Sequence, residues 1–445
     1  MAGTTPPSSS PAALVLGSGG ARGAYEVGVA QYLFEELPRT LGRPPTLSIL
    51  CGTSAGALNT YGLACFAERP LSAVALLARR WSSLRLREML SADHVALARF
   101  VRTLLGCTSM ECTSSSPPPA SIDRGFLAPA PFRRAVLAGL PPEQPTENLR
   151  SGLLRAVSLT ATEVATGRTT IFVQRGDAAG ALPPSHLGTT ICETPLTPEH
   201  ALASSAIPLL FAPVAIRGQS YCDGSLRQSV PLSPAVHLGA RRVLVVTTQH
   251  GFPRVLPLEA EARKRGAANP LYLLGKAVNA LTLGHVDDDI ERLATINHLL
   301  DAGMRAFGPA FSPKLNQELH AAGHREVVPV TAEVIRPSES LGRLAAEYLR
   351  TREFRARNRG PGVRLLLRLA ETESPYEADL ASYLLFDGGF AQELMRLGYD
   401  DARAANDRLA ALFADEREAV TPTPPAAGAA PATDVGDPSA VPRAQ

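Results

Sequence analysis

Residues 47–59 read LSILCGTSAGALN, and the reading of the whole chain turns on them. Leu47 to Cys51 is a short apolar run of the kind that forms a buried strand. It enters Gly52-Thr53-Ser54-Ala55-Gly56, and the apolar segment from Ala57 to Phe66 continues as a helix. Strand, G-x-S-x-G and helix together make the nucleophile-elbow pattern, in which a sharp turn lifts a serine hydroxyl clear of the sheet. A side chain at 52 or 56 would crowd that bend. The turn also sets Ser54 at a helix N-terminus, where the dipole favours nearby negative charge. A tight β–α turn with an idle serine fits the same residues, so the serine needs partners elsewhere in the chain.

Upstream, Ala12 to Leu16 is a second apolar strand. It runs into Gly17-Ser18-Gly19-Gly20-Ala21-Arg22-Gly23, and a helix carrying Ala24, Val27, Val29, Tyr32 and Leu33 ends before Pro38. Strand, glycine loop and helix present free backbone N–H groups to an anion. A dinucleotide fingerprint would need glycine where Arg22 stands, and a P-loop would need Lys followed by Ser or Thr. Neither motif fits. Arg22 has two readings: a charge aimed at the anion, or a side chain turned away that pins the loop.

Composition narrows the classes. The chain has 445 residues, 45% of them hydrophobic, enough for a large core in one domain or two. A net charge of +2 gives no reason to expect a nucleic-acid partner. Residues 1–11 have no basic segment followed by an apolar one, so no secretory signal is expected. No uncharged apolar run reaches about 18 residues, so no membrane-spanning helix is expected. Cysteines 51, 65, 107, 112, 192 and 222 show neither a C-x-x-C pair nor zinc-ligand spacing. They read as reduced thiols, and the expected location is the cytoplasm, with peripheral contact at a membrane left open.

Further along, Leu71 to Leu90 is helical in pattern and interleaves Arg79, Arg80, Arg85 and Arg87 with leucines and Trp81. An amphipathic helix covering the core is favoured over one lying on a membrane surface. Residues 71–145 read as an insertion and a candidate lid, with loops at 113–120 and 141–145. Leu154 to Glu163 and Thr169 to Val173 pair as a hairpin around Ala165-Thr166-Gly167-Arg168. A short helix, Pro198 to Ser205, precedes strands at Pro213–Ile216 and Ser220–Cys222. A helix at Pro234–Leu238 and a strand at Val243–Thr247 follow. Residues 259–300 read as mainly helical, Glu326 to Ile335 as strand, and the chain from Ser338 to about Arg417 as helical. The expected domains are a disordered stretch at 1–11, a catalytic domain at 12–256, a mainly helical region at 257–419 packed on the core, and a Pro/Ala-rich disordered tail at 420–445.

A serine hydroxyl attacks only when a base takes its proton, and the oxyanion then formed needs preplaced donors. The glycine loop can supply the donors. For the base, the late histidines 237, 250, 285, 298, 320 and 324 have no recognisable local motif and read as surface or packing residues. With only about 50 residues before Ser54, there is room for two strands, which counts against an α/β-hydrolase with a distant histidine. Asp223 ends a strand and precedes Gly224, so it faces a cleft, where a partly desolvated carboxylate is a stronger base than in water. Asp-Gly is also an ordinary turn signal, and locally that reading stands beside the catalytic one.

Taken together, the segments 17–23 and 52–56, the pair Asp223-Gly224, and the block Ala203-Ser204-Ser205-Ala206-Ile207-Pro208-Leu209-Leu210-Phe211-Ala212-Pro213-Val214 resemble the patatin-like phospholipase family in order and spacing. The similarity runs over about residues 12–250, and 257–400 resembles extensions of bacterial members. The resemblance implies a three-layer α/β/α sandwich around a mainly parallel sheet, with a helical C-terminal extension. It implies Ser54 as nucleophile, Asp223 as base, and an oxyanion hole from the backbone at Gly17, Gly19, Gly20, Ala21, Arg22 and Gly23. Gly52 and Gly56 form the elbow. No metal or cofactor is implied. The implied substrate is a phospholipid, lysophospholipid or other acyl ester, cleaved as by a phospholipase A or lysophospholipase. Ser225 stands where the family often has Gly or Ala, and being small it is expected to fit unless positive φ is required there. The alternative is a lipid-binding or scaffold protein that keeps the fold with little turnover.

Overall fold

The computed structural model describes residues 10–89, 138–177, 182, 188–208, 210–250, 286–358, 367 and 379–414. Residues 10–413 of this set belong to one compact unit; the other unit, Ala414–Gln445, is described only at Ala414.

Nine strands form one sheet among the described residues. They are β1 Ala12–Leu16, β2 Ile49–Thr53, β3 Ala156–Glu163, β4 Thr169–Arg175, β5 Thr189–Glu193, β6 Val214–Ile216, β7 Gln219–Asp223, β8 Arg242–Val246 and β9 Thr331–Ile335. The main order is β5-β4-β3-β2-β1-β8-β9, with β7 paired to β3 and β6 paired to β7. The pairs β1–β2, β1–β8, β2–β3, β8–β9 and β4–β5 are parallel. The antiparallel pairs are β3–β4, β3–β7 and β6–β7.

The central strands are apolar on both faces, as a covered parallel sheet requires. Alternation along β1 sends Leu14 and Leu16 to one side and Ala13 and Val15 to the other; β8 does the same with Leu244 and Val246 against Val243 and Val245. On the first face lie the helices Ala24–Glu35, Ala55–Cys65 and Gly388–Ala404. The second face is covered by the helix Leu232–His237 and by Val286, Ile290 and Leu293 of the helix Val286–Phe307. The chain is thus a three-layer α/β/α sandwich around a mainly parallel sheet, with a helical C-terminal region.

That C-terminal region reaches the first layer through a close crossing of helices 24–35 and 388–404. A Cβ on Gly28 would lie 1.9 Å from the carbonyl oxygen of Met395, and one on Gly398 would lie 2.1 Å from that of Tyr25. Backbone meets backbone there, and only glycine allows it. Tyr25 and Tyr32 lock the crossing by donating to Asp401 (2.9 Å) and Asn406 (2.7 Å).

Several expectations take a sharper form. The helix expected over 71–90 is Pro70–Ser83, a break at Leu84-Arg85, and Leu86–Met89. It covers the core through Ala73, Val74, Leu77 and Trp81, with Arg79 outward. The stretch read as a loop at 141–145 opens a helix, Gln144–Arg150, because Pro145 sits in its first turn, where its missing N–H costs nothing. Strand β5 was not anticipated. The bulk of the candidate lid, 90–137, and residues 251–285 lie outside the described residues, as do residues 1–9 of the stretch expected to be disordered at 1–11 and the whole of the tail expected at 420–445. Ser10 and Pro11 accept hydrogen bonds from Arg241 and Arg242.

We expect Gly28→Leu to destabilise the protein by about 3 kcal/mol, because overpacking against a backbone carbonyl finds no side chain able to give way. A urea unfolding curve checks this; a midpoint unchanged from the wild type would contradict the crossing described.

Candidate functional site

The first half of the site is the turn after β2. Ser54 has φ 58° and ψ −124°, one of two non-glycine residues with positive φ among those described. Such a conformation costs on the order of 1–3 kcal/mol and persists only where the surroundings enforce it. The enforcement is visible. The Ser54 N–H donates to Ser204 Oγ (2.9 Å), and Ser204 Oγ donates to the carbonyl oxygen of Thr160 (2.6 Å). Ser204 ends the helix Pro198–Ser204, so a side chain 150 residues downstream holds the turn to β3. A Cβ on Gly52 would meet Thr60 Oγ1 at 2.4 Å, and one on Gly56 would meet the carbonyl oxygens of Leu16 and Gly17 at 2.4 Å.

The second half is the end of β7. Asp223 N–H donates to the Ala206 carbonyl at 2.9 Å, and Thr162 Oγ1 donates to the Asp223 carbonyl at 2.9 Å. Gly224 lies so close to β3 that a Cβ there would meet the Thr160 carbonyl at 2.1 Å. Ser225 is the middle residue of the 3-10 turn Gly224–Leu226 and has no positive φ, so its side chain fits.

Sheet register brings the halves together. Along one edge of β3, β2 pairs with Ala156–Thr160 and ends with Thr53 opposite Thr160. On the same strand, β7 arrives antiparallel and ends with Asp223 opposite Ala161. The two C-terminal strand ends therefore meet head to head, and the next side chains touch. Ser54 Oγ donates to Asp223 Oδ2 at 2.6 Å. At that distance no imidazole fits between them.

Asp223 is almost wholly buried, at 1% exposure. Its second oxygen, Oδ1, accepts the Ser225 N–H at 2.8 Å. Burial pushes its pKa up to about 6, although the hydrogen bonds from Ser54 and Ser225 act in the other direction. His237 pairs with Ser233 and His250 with the Pro337 carbonyl. His285 lies outside the described residues.

The third part is the glycine loop after β1. Gly17 N–H donates to Val246 O, Ser18 N–H to Ser229 O and Arg22 N–H to Gly19 O, while the Gly17 carbonyl accepts the Gly56 N–H. The amides of Gly17 and Arg22, counted among the donors from sequence, are thus engaged. The N–H groups of Gly19, Gly20 and Ala21 have no partner among the described residues. Gly23 lies inside the 3-10 turn Gly20–Gly23, close enough to the elbow helix that a Cβ would meet Ala55 Cβ at 2.5 Å. The loop is therefore seated on the N-terminus of the helix that carries Ser54.

Two sets of contacts hold the loop. Asn59 Nδ2 donates to the Gly23 carbonyl (2.9 Å) and to Glu26 Oε2 (2.8 Å), and Trp81 Nε1 donates to Asn59 Oδ1 (2.9 Å). Burial raises the Glu26 pKa well above its ordinary value, against the hydrogen bond from Asn59, which lowers it. On the other side, Arg22 is buried: its guanidinium bonds Ser382 and Asp379 and lies 3.9 Å over the Tyr383 ring. Of the two sequence readings of Arg22, pinning is the one that describes its contacts.

Sequence reasoning singled out Ser54 and Asp223 but gave no role to Ser204, Asn59 or the 379–383 cluster. Ser204 carried a signal, since it sits in the block 203–214. The others carried none, because a lone Asn in a helix and a serine far from any motif look like many others.

The geometry is a strand-end serine bonded to a strand-end aspartate, beside a loop of open amides, in a three-layer α/β protein. The family model described as Patatin-like phospholipase matches residues 14–236. The chain belongs to that family. No curated protein sequence matches it. Among solved structures it is similar to VipD from Legionella pneumophila, at 12% identity, covering 82% of this chain and 67% of that one with a TM-score of 0.27. It is also similar to human GIVD cytosolic phospholipase A2 in complex with methyl gamma-linolenyl fluorophosphonate, at 12% identity, covering 91% of this chain and 59% of that one, with a TM-score of 0.36. The chain thus spans less than two thirds of the human protein's length. At these scores the structural likeness adds nothing to the family assignment.

The burial of Asp223 has a consequence for stability. Its folded pKa of about 6 lies above the ordinary 3.8, so the folded state holds the proton more tightly. The stabilisation is complete below about pH 4 and is lost as pH rises through about 6. Above that, the buried charge destabilises the fold by about 3 kcal/mol. Asp223→Asn is therefore expected to unfold at pH 8 at or above the wild-type midpoint, with the difference closing toward pH 4. A variant clearly less stable at pH 8 would contradict the burial argument.

Proposed function

We propose that the protein is a serine acyl-ester hydrolase acting on lipids, of phospholipase A or lysophospholipase type, with Ser54 as nucleophile and Asp223 as its base. The observation that carries the reading is the 2.6 Å hydrogen bond from Ser54 Oγ to Asp223 Oδ2 at a strained strand-to-helix turn. The family assignment supports lipid acyl hydrolysis as the reaction class.

Ser54 Oγ attacks the ester carbonyl carbon while its proton passes to Asp223. The carbonyl oxygen becomes an oxyanion, and the amides of Gly19, Gly20 and Ala21 are the donors available to it at the N-terminus of a 3-10 turn. The C–O bond to the alcohol breaks, and Asp223 returns the proton to the leaving oxygen. The lysolipid or alcohol departs and leaves an acyl group on Ser54. Water then attacks that acyl carbon, giving its proton to Asp223, and collapse of the second oxyanion releases the fatty acid as Ser54 Oγ recovers the proton. No third residue is needed, because a desolvated carboxylate with a pKa of about 6 is ionised at neutral pH yet a better base than an exposed one.

A phospholipid substrate entails contact with a membrane surface. Among the described residues, no helix is long and apolar enough to cross a membrane.

Hydrolysis of a chromogenic short-chain acyl ester, followed by phospholipid and lysophospholipid panels, tests the reading. Ser54→Ala and Asp223→Asn are each expected to lose at least about a thousandfold in kcat while remaining folded. In the wild type, kcat/KM is expected to fall as pH drops through about 6, as the Asp223 base becomes protonated. Retention of most activity in either variant would overturn the assignment.

A further inference from the structure

The matched family segment ends at residue 236, yet the buried side chain of Arg22, inside the glycine loop, finds its partners more than 350 residues downstream. Arg22 Nε donates to Ser382 Oγ at 2.7 Å. Its Nη2 reaches both the backbone carbonyl and the Oδ1 of Asp379, each at 3.2 Å. Ser382 Oγ in turn donates to the Asp379 carbonyl at 2.5 Å. The guanidinium lies 3.9 Å from the centre of the Tyr383 ring, a cation–π distance. Arg22 is 3% exposed, Ser382 is fully buried and the Asp379 side chain is 13% exposed, so the ion pair is poorly screened and breaking it leaves a buried charge uncompensated.

The contact is not confined to the side chain. Gly20 has φ 56°, and a Cβ built on it would meet the Tyr383 carbonyl oxygen at 2.7 Å. The short helix Asp379–Leu384 thus presses its own backbone onto the loop at Gly20 while gripping the loop's only charged residue. Of the three open amides, that of Ala21 lies between Gly20 and Arg22, and that of Gly20 adjoins it. A shift of Arg22 tips those peptide planes, since Arg22 N–H also closes the turn onto the Gly19 carbonyl.

We infer that helix Asp379–Leu384 is a positioning element for the oxyanion-binding loop, with Ser382, Asp379 and Tyr383 as positioning residues acting through Arg22. The inference rests on the hydrolase reading above. The C-terminal region therefore contributes to the rate of reaction as well as to the fold. Because an oxyanion exists only in the transition state and the tetrahedral intermediate, loosening its donors lowers kcat and leaves KM for a small ester nearly unchanged.

The test is steady-state hydrolysis of p-nitrophenyl butyrate by the full chain, with active sites counted by fluorophosphonate titration, for wild type, Ser382→Ala and Asp379→Asn. Expected is a loss of about tenfold or more in kcat per titrated site in each variant, with KM within about twofold of wild type. A merely structural role would reduce the number of titratable sites and leave kcat per site unchanged, and that result overturns the inference. Should Ser382→Ala fail to fold, Asp379→Asn gives the same readout while keeping the side chain's size and the backbone carbonyl that Arg22 also uses. A wild-type chain that neither turns over the ester nor is labelled at Ser54 refutes the hydrolase reading itself, an outcome separate from an active wild type with unimpaired variants.

Discussion

One edge of β3 is shared end to end by two strands that run toward each other, and the site depends on that arrangement. β2 stops at Thr53 opposite Thr160, and β7 stops at Asp223 opposite Ala161. A sheet fixes its strands to within a hydrogen-bond register, so the residues that follow have little freedom in where they meet. The Ser54–Asp223 hydrogen bond is the product of that register. Slipping β7 by one residue would turn Asp223 to the opposite face and leave Ser54 without a carboxylate.

The surroundings pay for this meeting of strand ends. Ser54 is held at positive φ by the bond from its N–H to Ser204, and Ser204 is tied to Thr160, the residue opposite Thr53. Asp223 is buried without a cation among its hydrogen-bond partners, and its raised pKa expresses the same strain in electrostatic form. Both features are unfavourable for stability, and both suit the proposed role of Asp223 as a base that takes a proton from a hydroxyl. Regions away from the site follow the ordinary rules of an apolar core, as with Leu14 and Leu16 on one face of β1 and Ala13 and Val15 on the other.

Much of this was legible in the sequence, and the reasons differ by element. β1, β2 and β8 are continuous apolar runs, and the loops after the first two carry glycines that only a close approach explains. β3 and β4 announce themselves through β-branched residues on either side of Ala165-Thr166-Gly167-Arg168. β5 was missed because Thr189–Glu193 is half-exposed and its Thr-Thr-Ile-Cys-Glu pattern offers little apolar alternation. The break at Leu84 in the helix expected over 71–90 was invisible because its cause is tertiary: the Leu84 carbonyl accepts the Gly388 N–H. Ser54 and Asp223 were singled out because the proposed chemistry demands those residue types at strand ends, and the structure brings the two side chains to 2.6 Å. The grip on Arg22 was left as one of two readings, since nothing local to residue 22 points to Asp379 or Ser382.

The account stands or falls on direct proton transfer from Ser54 to Asp223. The measurement closest to that event is the rate of phosphonylation by a fluorophosphonate probe as a function of pH, with the modified residue located by peptide mass spectrometry. The account predicts a single adduct on Ser54, a rate that rises with pH through an inflection near 6, and loss of both rate and inflection in Asp223→Asn. An adduct on another residue, or an Asp223→Asn variant labelled at the wild-type rate with the same pH profile, would contradict it.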